Sequence, residues 1–137
     1  MAEPVRPPRG LLDTSVLVDI ENIDVDHLPR EIAISALTMA ELAAGPHATD
    51  DADERGRRQD RLQRAEAVFE SLAFDAEAAR TYGRIYAAVA AAGRKARGAR
   101  AVDLLIAATA ASQGLPLFTR NGADFEALEG LVAVVVV

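Results

Sequence analysis

Apolar residues recur along this chain with two different periods, and the switches between the periods mark out its elements. Gly10-Leu11-Leu12 is a short apolar run that predicts a strand, and Val16, Leu17 and Ile20 follow at helical spacing. Ile32-Ala33-Ile34-Ser35 predicts a second buried strand, running into Thr38 and a helix that stops at Gly45-Pro46. His47 to Asp53 is polar loop. From Glu54 to Leu72, the apolar positions Leu62, Ala65, Val68, Phe69 and Leu72 predict a helix with arginines and acids on its other faces. Asp75 is the expected N-cap of the next helix, from Ala76 to Ala92, with Ala79, Tyr82, Ile85, Tyr86 and Val89 on one face.

A basic loop from Gly93 to Gly98 leads into an alanine-rich helix, about Arg100 to Ser112, closed by Gly114 and Pro116. Leu117-Phe118-Thr119 predicts a third strand and Leu131 to Val137 a fourth, whose unalternating valines suit a strand covered on both faces. Strands interleaved with helices imply a mostly parallel sheet between helical layers. Neither an internal repeat nor a domain linker interrupts it.

Composition narrows the class. With 137 residues, half of them hydrophobic, the chain suits one packed domain and not a disordered one. The absence of cysteine excludes disulfides, thiolate zinc sites and cysteine nucleophiles. No apolar run approaches the ~20 residues that span a bilayer. The first ten residues, with three prolines and two arginines, do not resemble a signal peptide, so residues 1–10 are expected to be a flexible extension before a domain at 11–137. A cytoplasmic protein follows as the default. A net charge of −6 repels polyanions on average, so any nucleic-acid chemistry needs local positive charge and bound cations.

Four carboxylates stand out against this background: Asp13, Glu41, Asp103 and Asp124. Each has a structural reading beside the functional one. Asp13 ends the first strand, where Asp, Thr14 or Ser15 would each cap a helix. Thr38-x-x-Glu41 fits a capping box, yet Glu41 also lies just beyond the carboxyl end of a strand, where open α/β sheets bind ligands. Asp103 is the only polar side chain between Ala101 and Ala108, a segment apolar nearly all round, and burying a lone carboxylate there is costly unless it is paired or ligates a metal. Its alternative is a favourable charge near a helix N-terminus. Asn121 is placed to cap a short helix containing Asp124.

If the four converge, like charge raises some pKa values or recruits cations. An all-oxygen set with no histidine or cysteine nearby favours Mg²⁺ or Mn²⁺ over zinc. Such ions activate water against a phosphodiester, with Thr14, Ser15 and Asn121 as supporting polar groups. Arg94, Lys95, Arg97 and Arg100 concentrate positive charge just before Asp103, either to hold RNA phosphates or as an ordinary solvated loop. The arginines from Arg55 to Arg64 read as a solvated helix face. A receiver-like or dehalogenase-like phosphoryl-transfer site is disfavoured, because Ser15 stands where its second carboxylate belongs.

The segments Leu12-Asp13-Thr14-Ser15, Thr38-Met39-Ala40-Glu41-Leu42, Asp103-Leu104-Leu105-Ile106-Ala107-Ala108-Thr109-Ala110 and Leu117-Phe118-Thr119-Arg120-Asn121-x-x-Asp124-Phe125, in this order, resemble a PIN domain. The compact length resembles the VapC toxins of bacterial toxin–antitoxin pairs. The likeness runs from about Leu11 to Val135. It implies a three-layer α/β/α sandwich with a small, mostly parallel sheet of four or five strands, including a short strand at Ser71 to Phe74. It further implies a Mg²⁺- or Mn²⁺-dependent endoribonuclease in which Asp13, Glu41, Asp103 and Asp124 match the acidic metal-binding set. The expected partners are a VapB-type antitoxin, a second copy in a homodimer, and an RNA substrate (transfer, ribosomal or messenger), with no membrane. The competing expectation is a catalytically silent PIN-like module that only binds RNA or protein. Loss of an acid would mark that alternative, and all four are present.

Overall fold

A computed structural model of the chain describes residues 6–137. Five strands form one all-parallel sheet: β1 (Arg9–Leu12), β2 (Glu31–Ser35), β3 (Glu70–Leu72), β4 (Leu117–Thr119) and β5 (Val134–Val136), in the order β3-β2-β1-β4-β5. The helices are α1 (Thr14–Val18), α2 (Ala36–Ala44), α3 (Ala52–Val68), α4 (Ala76–Ala91) and α5 (Ala99–Ser112). Central β1 has β2 on one side and β4 on the other, so the strand order reverses around it. The carboxyl ends of these strands therefore border the crevice in which such sheets place their ligands.

Successive residues of each strand feed opposite faces. Leu11, Ala33 and Leu117 enter a core with α4 and α5, containing Ile85, Val89, Leu104 and Ile106. Leu12, Ile34 and Phe118 enter the opposite core, with Val16, Leu17, Leu42 and Ala65 of α1, α2 and α3. Both faces are thus dry, which is why β1 and β4 read as apolar runs without alternation. Gly10 has a specific reason to lack a side chain: a Cβ there would lie 2.5 Å from the Phe118 ring.

Several sequence expectations shift. The helix expected to Leu72 ends at Val68, where Phe69 turns extended, and Glu70–Leu72 pairs with Ala33–Ser35 as β3. The short strand thus exists one residue earlier than the resemblance placed it and is cut shorter. Leu72 satisfied the helical period and the sheet face equally well, so pattern alone did not separate them. On α4 the buried face is Ala78, Thr81, Ile85 and Val89, while Tyr86 is 53% exposed. The final strand is confined to Val134–Val136, because its neighbour β4 offers only three residues to pair with. It is also an edge strand, with Val136 60% exposed, and is not covered on both faces.

Of the expected flexible extension, residues 1–5 lie outside the described residues. From Arg6 onward the chain is tied down. The Arg6 side chain donates to the carbonyls of Leu28 and Pro29, the carbonyls of Pro7 and Pro8 accept from Arg30 and Glu31, and β1 already begins at Arg9. No described helix is long and apolar enough to cross a membrane.

Candidate functional site

The four carboxylates come from four elements and face one region at the carboxyl ends of the central strands. Asp13 follows β1 directly and is 4% exposed. Its Oδ1 accepts from the Val16 backbone N–H at 3.1 Å and from the Ser15 hydroxyl at 2.6 Å. The capping reading is therefore correct, but it uses one oxygen and leaves Oδ2 without a hydrogen bond among the described residues. Ser15 in turn accepts from the Arg120 N–H at 3.2 Å, which joins the end of β1 to the end of β4.

Glu41 is not the partner of a capping box. Ser35 is the N-cap of α2, with its hydroxyl accepting from Leu37 N–H, so Thr38 and Glu41 lie inside the helix one turn apart. That frees Glu41 to reach across to α1, where the Thr14 hydroxyl donates to Oε1 at 2.7 Å. The same hydroxyl lies 3.1 Å from that of Thr38, which is fully buried. Thr38 is a supporting residue that pattern reading missed, since its only sequence signal, a threonine three residues before a glutamate, was absorbed by the capping motif.

Asp103 sits in the second turn of α5, half-buried, and its carboxyl is pushed up to about 6. Burial is the largest cause, followed by repulsion from Asp13, Glu41 and Asp124; the Arg100 guanidinium opposes them. One side chain thus senses all three other acids. Asp124 lies in the 3₁₀ turn Gly122–Leu128 after β4, and its Oδ1 is 3.4 Å from Arg100 Nη2. Asn121 precedes this turn and is exposed; its backbone N–H donates to the Thr119 hydroxyl, and its side chain forms no cap.

The basic segment divides in two. Arg94 donates to the Ala123 carbonyl at 3.1 Å and lies 3.7 Å from Glu126, so it and Arg100 are turned onto the turn that bears Asp124. Lys95 and Arg97 are exposed and make no ion pair among the described residues. The arginines of α3 are largely spent locally: Arg57 and Arg58 pair with Glu54, Arg64 with Glu21, and Arg55 and Arg58 bond the carbonyls of Pro46, Thr49 and Gly45.

The donor set fits a hard divalent cation. Every group is an oxygen, and both histidines are exposed and belong to other parts of the surface. Among the described residues no three acids or histidines are gathered tightly enough to grasp one ion together. A groove of about 340 Å³ lies elsewhere, between α1 and α3, lined by residues including Leu17, Ile20, Arg61 and Phe69.

The profile of the PIN domain matches residues 10–131, a span that contains all four acids. The chain belongs to the PIN-domain family. Among its relatives is Ribonuclease VapC5 of Mycobacterium tuberculosis, 37% identical over 134 residues, covering 96% of each chain. Ribonuclease VapC8 of the same species is 38% identical over 111 residues, covering 74% of this chain and 89% of its own. The crystal structure of VapBC-5 from Mycobacterium tuberculosis, a member of the VapBC family of toxin–antitoxin systems, superposes with a TM-score of 0.81 at 38% identity. It covers 96% of this chain and 98% of that one. This PIN domain therefore has the expected sandwich, with five strands and every strand parallel.

Proposed function

We propose that this PIN domain is a divalent-cation-dependent endoribonuclease, the toxin of a toxin–antitoxin pair, with Asp13, Glu41, Asp103 and Asp124 forming its cation site. The observation that carries the site is the set of contacts that draws the acid-bearing segments together: Thr14 to Glu41, Ser15 beside Asp13 to the Arg120 N–H, and Arg100, one turn before Asp103, to Asp124. The upward shift of Asp103 by its burial and by the other three acids agrees with it. Carboxylates held close together repel one another when ionised, and a cation shared with substrate phosphate would offset that repulsion. The ribonuclease relatives and the VapBC-5 likeness support the reaction class and the kind of partner.

The chain's own residues divide the work. Ser15 and the α1 backbone hold Asp13 through Oδ1, while Thr14 holds Glu41 through Oε1. Each acid therefore keeps one fixed and one uncommitted oxygen. Asp103, on α5, is near enough to both to feel their charge. A bound Mg²⁺ or Mn²⁺ would lower the pKa of a water and offset charge on the phosphodiester. Lys95 and Arg97, exposed on the adjoining loop, are the phosphate contacts that remain free to offset the net charge of −6. Arg94 and Arg100 are already engaged with the Asp124 turn. A VapB-type antitoxin, a homodimer and a cytoplasmic setting complete the proposal.

Mn²⁺-dependent cleavage of a mixed transfer and ribosomal RNA pool tests it, with Asp103→Ala alongside. Cleavage lost in the variant and with chelator is the expected result. Failure of the wild type to bind Mn²⁺ in calorimetry would leave a silent RNA- or protein-binding module as the better reading.

A further inference from the structure

Arg100 stands out because it is placed at a cost. It occupies the first turn of α5, one turn before Asp103, and its Nη1 is buried with no hydrogen-bond partner among the described residues. An unsatisfied buried donor on a charged group is unfavourable, so other contacts must hold the side chain in place. Those contacts are visible. Nη2 meets Oδ1 of Asp124 at 3.4 Å, across from α5 to the turn after β4. The pair uses one nitrogen and one oxygen, which leaves Asp124 Oδ2 uncommitted. Nearby, Arg94 bonds the Ala123 carbonyl at 3.1 Å, immediately before Asp124.

We propose that Arg100 is the positioning residue of Asp124: it spans from α5 to the turn after β4 and fixes that carboxylate at the edge of the acid cluster, with Arg94 holding the backbone beside it. The inference rests on the cation-site reading and assigns Arg100 a role distinct from holding RNA phosphate. Asp124 needs such help more than the other acids do. Asp13 is held by a helix cap and Glu41 lies within a helix, whereas Asp124 sits on a 3₁₀ turn whose Asn121 forms no side-chain cap.

The sign of one measurement separates the roles. If Arg100 were only a positive charge near the cation, its removal would tighten Mn²⁺ binding, because like charges repel. If it positions Asp124, removal loosens binding, by roughly the 10-fold seen when the outer partner of a metal ligand is lost. Calorimetric titration of Mn²⁺ alone into wild type, Arg100→Ala, Arg100→Lys and the exposed control Arg80→Ala provides the comparison. The expected result is weaker binding in Arg100→Ala, substantial recovery in Arg100→Lys, and no change in the control. RNA cleavage should then show kcat reduced more than KM is raised. Tighter or unchanged Mn²⁺ affinity in Arg100→Ala overturns the proposal, and a rise in KM alone would return Arg100 to phosphate binding. Should Arg100→Ala not fold, Arg100→Gln, which keeps much of the stem and loses the charge, takes its place in the same Mn²⁺ titration. It is expected to bind more weakly than wild type, with tighter or unchanged affinity again overturning the proposal. Absence of binding in the wild type would instead sink the cation-site reading itself.

Discussion

The Thr14 hydroxyl on α1 donates to Oε1 of Glu41 on α2 at 2.7 Å, linking two acid-bearing segments that are 27 residues apart. Glu41 is exposed, so this bond does little for the fold and much for the direction of one carboxylate. Thr14→Val keeps the side-chain shape and removes the donor. Cleavage should fall by roughly 10-fold or more, the usual cost of losing such an outer partner, while the thermal midpoint stays nearly constant. A Thr14→Val enzyme with wild-type kcat would show that Glu41 needs no such restraint.

Asp13 serves two roles that substitution can separate. Asp13→Asn keeps an oxygen for the Val16 N–H and removes the charge, so cleavage should be lost with stability retained. Asp13→Ala also removes the cap, costing about 1 kcal/mol in addition. Chemical denaturation of both variants beside an RNA cleavage assay checks the pair. Equal destabilisation by the two would mean that the cap is energetically idle.

Asp103 makes stability depend on pH in a defined direction. Its carboxyl rises from 3.8 to about 6 on folding, so the folded state holds the proton more tightly than the unfolded chain. The stability contributed by this proton is fully present below about pH 4 and is lost as pH rises through about 6. Without added metal, Asp103→Asn should therefore be more stable than wild type at pH 7, by about 1–2 kcal/mol once solvent screening is allowed for. The advantage should shrink steadily toward pH 4. Melting curves across that range decide it, and a difference that ignores pH would refute the assignment of cause.

Divalent cations should reverse that ranking. A ligand that binds only the folded state stabilises it by about 2.7 kcal/mol at a hundred times its Kd. Saturating Mn²⁺ should raise the melting temperature of wild type clearly and that of Asp103→Asn little. Equal shifts in both proteins would place the cation elsewhere.

The elements that were legible from sequence share one property: their local pattern and their tertiary use agree. The Asp75 cap, the parallel sheet and the acid-bearing segments are of this kind, because a strand buried on both faces is apolar throughout and a helix cap needs an acceptor at one position. Where two local solutions fit the same residues, pattern was not enough. Thr38-x-x-Glu41 satisfies a capping box, but Ser35 ends β2 three residues earlier and caps the helix instead. Leu72 fits a helix period, but hydrogen bonding along Ala33–Ser35 draws residues 70–72 into the sheet.

The amino-acid sequence by itself therefore determined the class of fold and singled out four candidate carboxylates, since these follow from periodicity and from charges set in apolar surroundings. Only the tertiary structure decided what each acid leans on: Ser15 for Asp13, Thr14 for Glu41 and Arg100 for Asp124. It also decided that Arg94 and Arg100 face inward while Lys95 and Arg97 remain exposed. The physical reason is the range of the interactions. Periodicity and capping act over a turn or two of chain, whereas most of these contacts join residues 24 to 29 positions apart, whose meeting depends on how the strands are ordered in the sheet.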